Sequence, residues 1–357
     1  MIEREVWKIG RAGSLGRLKL LPETLPALGP GQVRVGVRAV GLNFADVFAC
    51  LGLYSATPSG EFIPGLEFAG EVEEVSRRQG ERSPWKRGDR VMGVIRFGAF
   101  ASRVHVDDRL LQPLPPQWSF AEGAGFAVQA LTAWYALKEL GGLRQGQLVL
   151  VHSAAGGVGL NALSILQRFE GRVIATVGQE SKAAFLIEHR GLSADQIIIR
   201  DPGSFPQRLD EALKKAHEEG LDIVLDAVAG PYFKPAYRRI RPGGRLVLFG
   251  AASMMPAGNR PNYARLALKY LRRPRLDPLN MISENKSLMA FNLIWLWDRI
   301  DLLRRLYTDL SQELKAPPYI GRRFPFSQAV RALRYLQSGH SVGKVVLELA
   351  RISHPQS

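Results

Sequence analysis

The chain has 357 residues, 46% of them hydrophobic and 23% charged, with a net charge of +15 and a single cysteine, Cys50. That length suggests two domains, and one cysteine excludes both an internal disulfide and a cysteine-based structural zinc site. No stretch is long and apolar enough to span a bilayer, the start MIEREVWKIG lacks the apolar core of a secretory leader, and no nucleic-acid reading module accompanies the positive charge. A cytoplasmic protein with no nucleic-acid partner is expected.

The first third reads as strands. QVRVGVRAVGL (32–42), FAGEVEEV (68–75) and DRVMGVI (89–95) are short alternating or apolar runs set off by GPGQ and KRGDR turns, and they predict a small irregular barrel. At Ser119 the pattern turns helical. Glu122 stands three residues on, the spacing of a capping box, and FAEGAGFAVQALTAWYALKEL (120–140) predicts one helix. Strands and helices then alternate: QLVLVHS, a helix from about Gly157, RVIATVG, a helix from about Ser181, QIIIR, a helix around Gln207 to His217, LDIVLDAV and GRLVLFG. This alternation predicts parallel βαβ units wound in both directions. Beyond Arg273 come a proline-rich loop, a strand near KSLMAFNL, a helix around Trp295 to Leu314 and a last strand in VGKVVLELA.

The turn after the first of these strands carries the chemistry. In VLVHSAAGGVGLNALSI (149–165) the run Ala155, Gly156, Gly157, Val158, Gly159 follows an apolar strand and opens a helix. Residues without Cβ let the backbone turn sharply, and a pyrophosphate can lie against the free N–H groups of the helix start. The next strand ends at Gly178, where an NAD site would carry a ribose-binding acid. In its place Lys182 follows in VGQESK, and the third strand ends in Arg200, so two cations converge on a 2′-phosphate. NADPH is therefore the expected cofactor. Glu180 is the dissenting residue, able to reach a 2′-hydroxyl.

The segments VGLNFADV, GLY, IPGLEFAGEV, GDRVMG, LTAWYAL, HSAAGGVG, TVGQESK and VGKVVL, in this order along nearly the whole chain, resemble the zinc-free quinone oxidoreductase branch of the medium-chain dehydrogenase/reductase superfamily, to which zeta-crystallin belongs. MAFNLIWL and the basic insert before it are similar to the synaptic vesicle membrane protein subgroup. The resemblance implies an α/β protein with a GroES-like β-barrel catalytic domain over residues 1–127, completed by 287–357, and a Rossmann doubly wound parallel sheet binding NADPH over 128–286. It also implies a homodimer.

Zinc-dependent relatives have a Cys where this sequence has Asn43, and a His-Glu pair where it has Leu66 and Glu67. Neither Leu66 nor Asn43 suits zinc, Glu67 alone cannot hold it, and no two of the six histidines have helix-face ligand spacing, so no metal is expected. By the family's pattern Asn43 and Tyr54 line the substrate cleft as neutral donors, with Thr132 nearby. Cofactor contacts carried over are Asn43, Thr132, Val228, Phe249, Gly250, Ala251, Phe291, Asn292 and Leu293, with Lys344 approaching the phosphates. Neutral donors suffice when hydride adds to a conjugated system, because the charge spreads into an enolate or hydroquinone.

The leading reading is thus an NADPH-dependent reductase of quinones or α,β-unsaturated carbonyl compounds. The alternative is a membrane-associated protein whose nucleotide is structural or regulatory. In RLALKYLRRPRLDP, Arg265, Lys269, Arg272, Arg273 and Arg275 could face anionic lipid while Leu266, Leu268 and Leu271 dip inward; the competing role is a basic loop covering the cleft. The apolar run GRLVLFGAAS is the expected outer strand of the nucleotide sheet, and two such edges would pair in the homodimer.

Overall fold

Val33, Val35 and Val37 alternate along one strand and are all buried in the same core. In the computed structural model, which describes residues 2–78, 80 and 82–350, that strand lies near the middle of a seven-stranded sheet. The first part of the chain comprises β1 (Ile2–Ile9), β2 (Leu18–Leu25), β3 (Gln32–Gly41), α1 (Phe44–Cys50), β4 (Glu67–Val75), β5 (Arg90–Val94), β6 (Arg103–Asp107), β7 (Leu111–Pro113) and α2 (Phe120–Ala124). β1 and β2 form an antiparallel hairpin that the sequence reading did not include.

The expected helix over 120–140 is broken. The Ser119–Glu122 capping box is present, with the Ser119 amide donating to Glu122 at 2.6 Å, but α2 stops at Gly125 and α3 (Ala127–Trp134) restarts before passing into a π-helical stretch at Tyr135–Leu140. The break has a purpose at α3's first turn. It turns the Val128 amide onto the Glu67 carboxylate at 2.9 Å.

The alternating section follows as β8 (Leu148–His152), α4 (Gly157–Arg168), β9 (Arg172–Val177), α5 (Glu180–Arg190), β10 (Ile197–Ile199), α6 (Phe205–Lys215), β11 (Leu221–Asp226), α7 (Phe233–Arg238) and β12 (Ile240–Leu248). Then come α8 (Tyr263–Leu271), α9 (Pro278–Glu284) and β13 (Ser287–Ala290). These strands form one parallel sheet in the order β10-β9-β8-β11-β12-β13, the doubly wound order of dinucleotide-binding sheets. β8 is buried along its whole length because helices cover both faces.

Two expectations are corrected here. The outer strand is Ser287–Ala290, since β12 pairs on its far side with β13, Leu246 facing Leu288. The run GRLVLFGAAS is therefore interior. For the same reason the first domain does not resume at 287; it resumes after α10 (Ile300–Glu313), with β14 (Ile320–Pro325), α11 (Ala329–Gln337) and β15 (Lys344–Glu348), whose strands join the seven-stranded sheet beside β3. Helix α10 also starts five residues later than the sequence suggested, after a 3₁₀ turn at Leu293–Leu296.

Candidate functional site

A cleft of about 1980 Å³ opens at the C-terminal ends of the parallel strands, where open α/β sheets bind ligands. Ala155 and Gly156 border it at the start of α4. A Cβ on Gly157 would lie 1.5 Å from the Gln129 side-chain oxygen, which reaches over the turn from α3. At Gly159 a Cβ would stand 2.5 Å from the carbonyls of Ser153 and Ala154. Gly159 is thus needed for close approach of the strand-end backbone and the helix, Gly157 leaves the space that the Gln129 side chain fills, and the first amides of α4 are left without helical acceptors. The Ala155 carbonyl accepts from the Gly343 amide at 2.8 Å, which ties the turn to the first domain.

At the ends of β9 and β10 the cleft is positive. Arg200 donates to the Thr176 hydroxyl at 2.9 Å and to Ser153 at 3.3 Å, and it lies 5.8 Å from the Tyr232 ring centre. Lys182 donates to the Gly339 carbonyl at 2.8 Å. Burial, and then the Arg200 charge, push Lys182 down to about 8. Burial likewise lowers Arg200. Neither cation has a carboxylate partner among the described residues' ion pairs. His152 beneath them is held neutral, pushed down to about 4 by burial, with its Nδ1 on the Thr176 hydroxyl at 2.9 Å. Gly178 lies beside Arg200: a Cβ there would make an ordinary contact, 3.5 Å, with its Nη2. Glu180 is exposed at the start of α5 and does not border the cleft. Asp226 acts on the Arg200 charge without forming an ion pair with it; desolvated cations that lack an ion-pair partner fit a phosphate.

Asn43 and Lys344 come together, but not as expected. The Lys344 ammonium is fully buried, donates to Asn43 Oδ1 at 2.8 Å and makes a short contact with Glu67. Asn43 Nδ2 donates to the same Glu67 oxygen at 2.9 Å. Lys344 is therefore committed below the cleft and does not reach its phosphates; that expectation is corrected. The Asn43 amide keeps one hydrogen free for a ligand. Asp46 holds the Asn43 backbone amide at 2.7 Å, and burial pushes its carboxyl up to about 7.

Tyr54 donates to Asn292 Oδ1 at 2.8 Å, so residues 238 apart meet at one point. Burial pushes the phenol up to about 12. Phe291 packs 4.9 Å from Tyr135 and 6.1 Å from Phe249, next to Gly250 and Ala251. Thr132 spends its hydroxyl proton on the Val128 carbonyl at 2.6 Å and offers only lone pairs. Asn43, Tyr54 and Thr132 do not border the large cleft themselves; Phe44, Val228 and Ala251 do.

The basic insert forms a wall of that cleft. Arg265, Lys269, Arg272 and Arg273 border it; Arg265, Arg272 and Arg273 are also exposed, as the outward reading expected, and Leu268 lines the cleft, but Leu271 is 66% exposed and does not dip inward. Among the described residues no helix is long and apolar enough to cross a membrane. Between β12 and α8 the chain crosses to the first domain. Gln337 donates to the carbonyls of Pro256 at 2.8 Å and Gly258 at 2.9 Å, Arg334 donates to Asn259 Oδ1 at 2.9 Å, and the Leu15 amide donates to the Asn259 carbonyl at 3.1 Å.

Sequence reasoning passed over Glu67 as a partner, Gln129, Ser153 and Tyr232. Ser153 carried a usable signal in its position just before the glycine turn, where the structure gives it a left-handed φ of 56°. The others depend on contacts between distant segments.

Residues 29–116 match the alcohol dehydrogenase GroES-like domain, and residues 192–347 match the zinc-binding dehydrogenase family. The chain is 32% identical over 334 residues to the synaptic vesicle membrane protein VAT-1 homolog of Rattus norvegicus, covering 93% of this chain and 80% of that protein. Its fold is similar to the quinone oxidoreductase from Thermus thermophilus, solved also in complex with NADPH, at 31% identity and a TM-score of 0.75, covering 97% and 100% of the two chains. The CurK enoyl reductase is similar at 29% identity and a TM-score of 0.77, covering 97% and 99%.

Proposed function

The chain belongs to the medium-chain dehydrogenase/reductase superfamily, and from that premise we propose that it reduces quinones or α,β-unsaturated carbonyl compounds without a metal. It is an oxidoreductase, and NADPH is its cofactor. When bound, NADPH supplies hydride. The residues present fit it: Gly156, Gly157, Val158 and Gly159 take the pyrophosphate, and Lys182 and Arg200 take the 2′-phosphate. The observation that carries the reading is the pair of half-buried cations at the strand ends beside the glycine turn, neither of them in an ion pair with a carboxylate among the described residues.

On the acceptor side this chain supplies neutral hydrogen-bond donors. Tyr54 stays protonated throughout the physiological range. A half-turn of the Asn292 amide presents Nδ2 to the phenol oxygen and frees the phenolic proton for the acceptor's oxygen. The second amide hydrogen of Asn43 is the other donor. Donors of this kind stabilise charge spread over an enolate or hydroquinone better than charge confined to one oxygen. The Lys344 ammonium supports the metal-free reading. It takes the oxygens of Asn43 and Glu67, which could otherwise have turned to a cation.

The direct test is NADPH oxidation against a panel of quinones, enones and saturated ketones. Turnover limited to saturated ketones, or abolished by a chelator, overturns the reading. For the cofactor, Lys182→Ala and Arg200→Ala should each weaken NADPH binding about tenfold or more, the worth of a charge-assisted hydrogen bond, and leave NADH binding unchanged. The pH dependence has a definite sign. Above pH 8 Lys182 in the free protein is neutral and must take up a proton to meet the phosphate, so NADPH affinity falls there while NADH affinity stays level. Calorimetry across pH 6–10 checks both; equal affinity for NADH and NADPH at neutral pH refutes the assignment.

We place the homodimer contact at the β13 edge. Leu288 on that strand and Leu279 and Ile282 beside it are exposed, the last two at 72% and 76%. An unpaired apolar edge associates readily. Light scattering should report a dimer that Leu288→Lys dissociates; a monomeric wild type at micromolar concentration removes the proposal.

A further inference from the structure

At about 1980 Å³ the cleft is larger than the roughly 300–1,000 Å³ of most small-molecule pockets. Part of this space lies beyond the cofactor's expected contacts, along α8 and the segment that follows it. Eight Lys and Arg side chains border the cleft, and among the described residues no Asp or Glu does. Lys182 and Arg200 serve the cofactor in the reading above. Arg265, Lys269, Arg272 and Arg273 do not.

These four are poorly compensated. Lys269 donates to the Ser253 carbonyl at 2.6 Å, and Arg273 folds onto its neighbour Tyr270, 3.9 Å from the ring centre. None of the four has an ion pair with a carboxylate among the described residues. Cations gathered along one wall of a cleft draw anions towards it. Arginine forks favour phosphate, which they can grip with two hydrogen bonds. The same space is bordered by Leu268, Leu276 and Met281, so an apolar chain finds cover beside the charge. The cleft runs continuously from Phe44 and Ala251, the neighbours of Asn43 and Gly250, out to α8.

We propose that this outer part binds the phosphate-bearing end of an amphiphilic acceptor, so that the group reduced is an enone or enoyl carried on a phosphorylated arm. This rests on the reductase reading and narrows its substrate class. Arg265, Lys269, Arg272 and Arg273 all border the cleft, whereas the exposed Leu271, Leu279 and Ile282 do not, which favours a ligand held within the cleft over a membrane.

The test compares crotonyl-coenzyme A with the same crotonyl group on uncharged N-acetylcysteamine, each reduced with NADPH. KM for the coenzyme A thioester should be at least about tenfold lower. Arg265→Ala/Arg272→Ala should raise that KM about tenfold or more while leaving kcat, NADPH affinity and the KM for the uncharged thioester unchanged. Calorimetric titration of coenzyme A into protein saturated with NADP+ reads the site without turnover, and binding should weaken in the double variant. Equal KM values together with no coenzyme A binding overturn the proposal. If coenzyme A binds but neither thioester nor any quinone is reduced, the reductase reading fails and the anion site stands. Capture by phosphatidylserine vesicles at physiological salt, lost in the double variant and without coenzyme A binding, overturns it in favour of a membrane surface.

Discussion

Replacing Lys344 with Met lowers the unfolding free energy by about 3–5 kcal/mol, because it leaves the Glu67 carboxylate buried without its cation. Both side chains are wholly buried, and their contact is shared with Asn43. Glu67 also receives the Val128 amide, so its charge is anchored at the start of α3 and cannot turn to solvent. The double variant Lys344→Met/Glu67→Gln removes both charges and recovers most of the loss, since apolar or neutral replacements of a whole buried pair cost little. A displaced urea midpoint in the single variant that returns in the double one is the expected pattern. A single variant as stable as the wild type would show that the ammonium contributes nothing to holding Glu67 in place.

Removing only the Tyr54 hydroxyl, as Tyr54→Phe, is expected to lower kcat by about ten- to a thousandfold, the range for loss of one donor aimed at developing charge. NADPH affinity should be kept, because Tyr54 borders neither the glycine turn nor the cations. Since burial pushes the phenol up to about 12, its proton is not lost at the usual pH of about 10. The plateau of kcat should therefore extend past pH 10. An unchanged kcat in the variant would take Tyr54 out of the reaction and leave water as the proton source. Steady-state rates on a quinone and a small enone decide it.

How far the molecule can be read without coordinates depends on how local each feature is. β8, the glycine turn and α4 form one continuous stretch whose apolar strand and helical period are visible directly, and Lys182 and Arg200 follow from where neighbouring strands end. A strand near KSLMAFNL is expected and found as β13, but its role as the edge is not legible. Most of its side chains are exposed, so it lacks the buried alternation that marks an interior strand. Lys344 reads as a phosphate contact by the family's pattern; its neighbour Gly343 does meet the glycine turn, but the side chain goes to Glu67, 277 residues away, and no spacing rule announces such a pair. The break in the helix at Gly125 is hidden for a related reason, since what demands it is the carboxylate from β4.

The crossing made by residues 256–259 has a consequence for timing. Its carbonyls and the Asn259 amide are held by Leu15, Arg334 and Gln337 of the other domain, and residues 254–259 also line the cleft. A dinucleotide seated beneath this crossing leaves only when those four hydrogen bonds part, each worth about 0.5–1.5 kcal/mol net. The acceptor side carries its own link, the hydrogen bond from Tyr54 to Asn292 at 2.8 Å, with Arg96 paired to Asp298 at 2.8 Å nearby. Exchange of oxidised for reduced nucleotide is therefore expected to be slow, and protein isolated from cells is expected to retain its dinucleotide through repeated dilution.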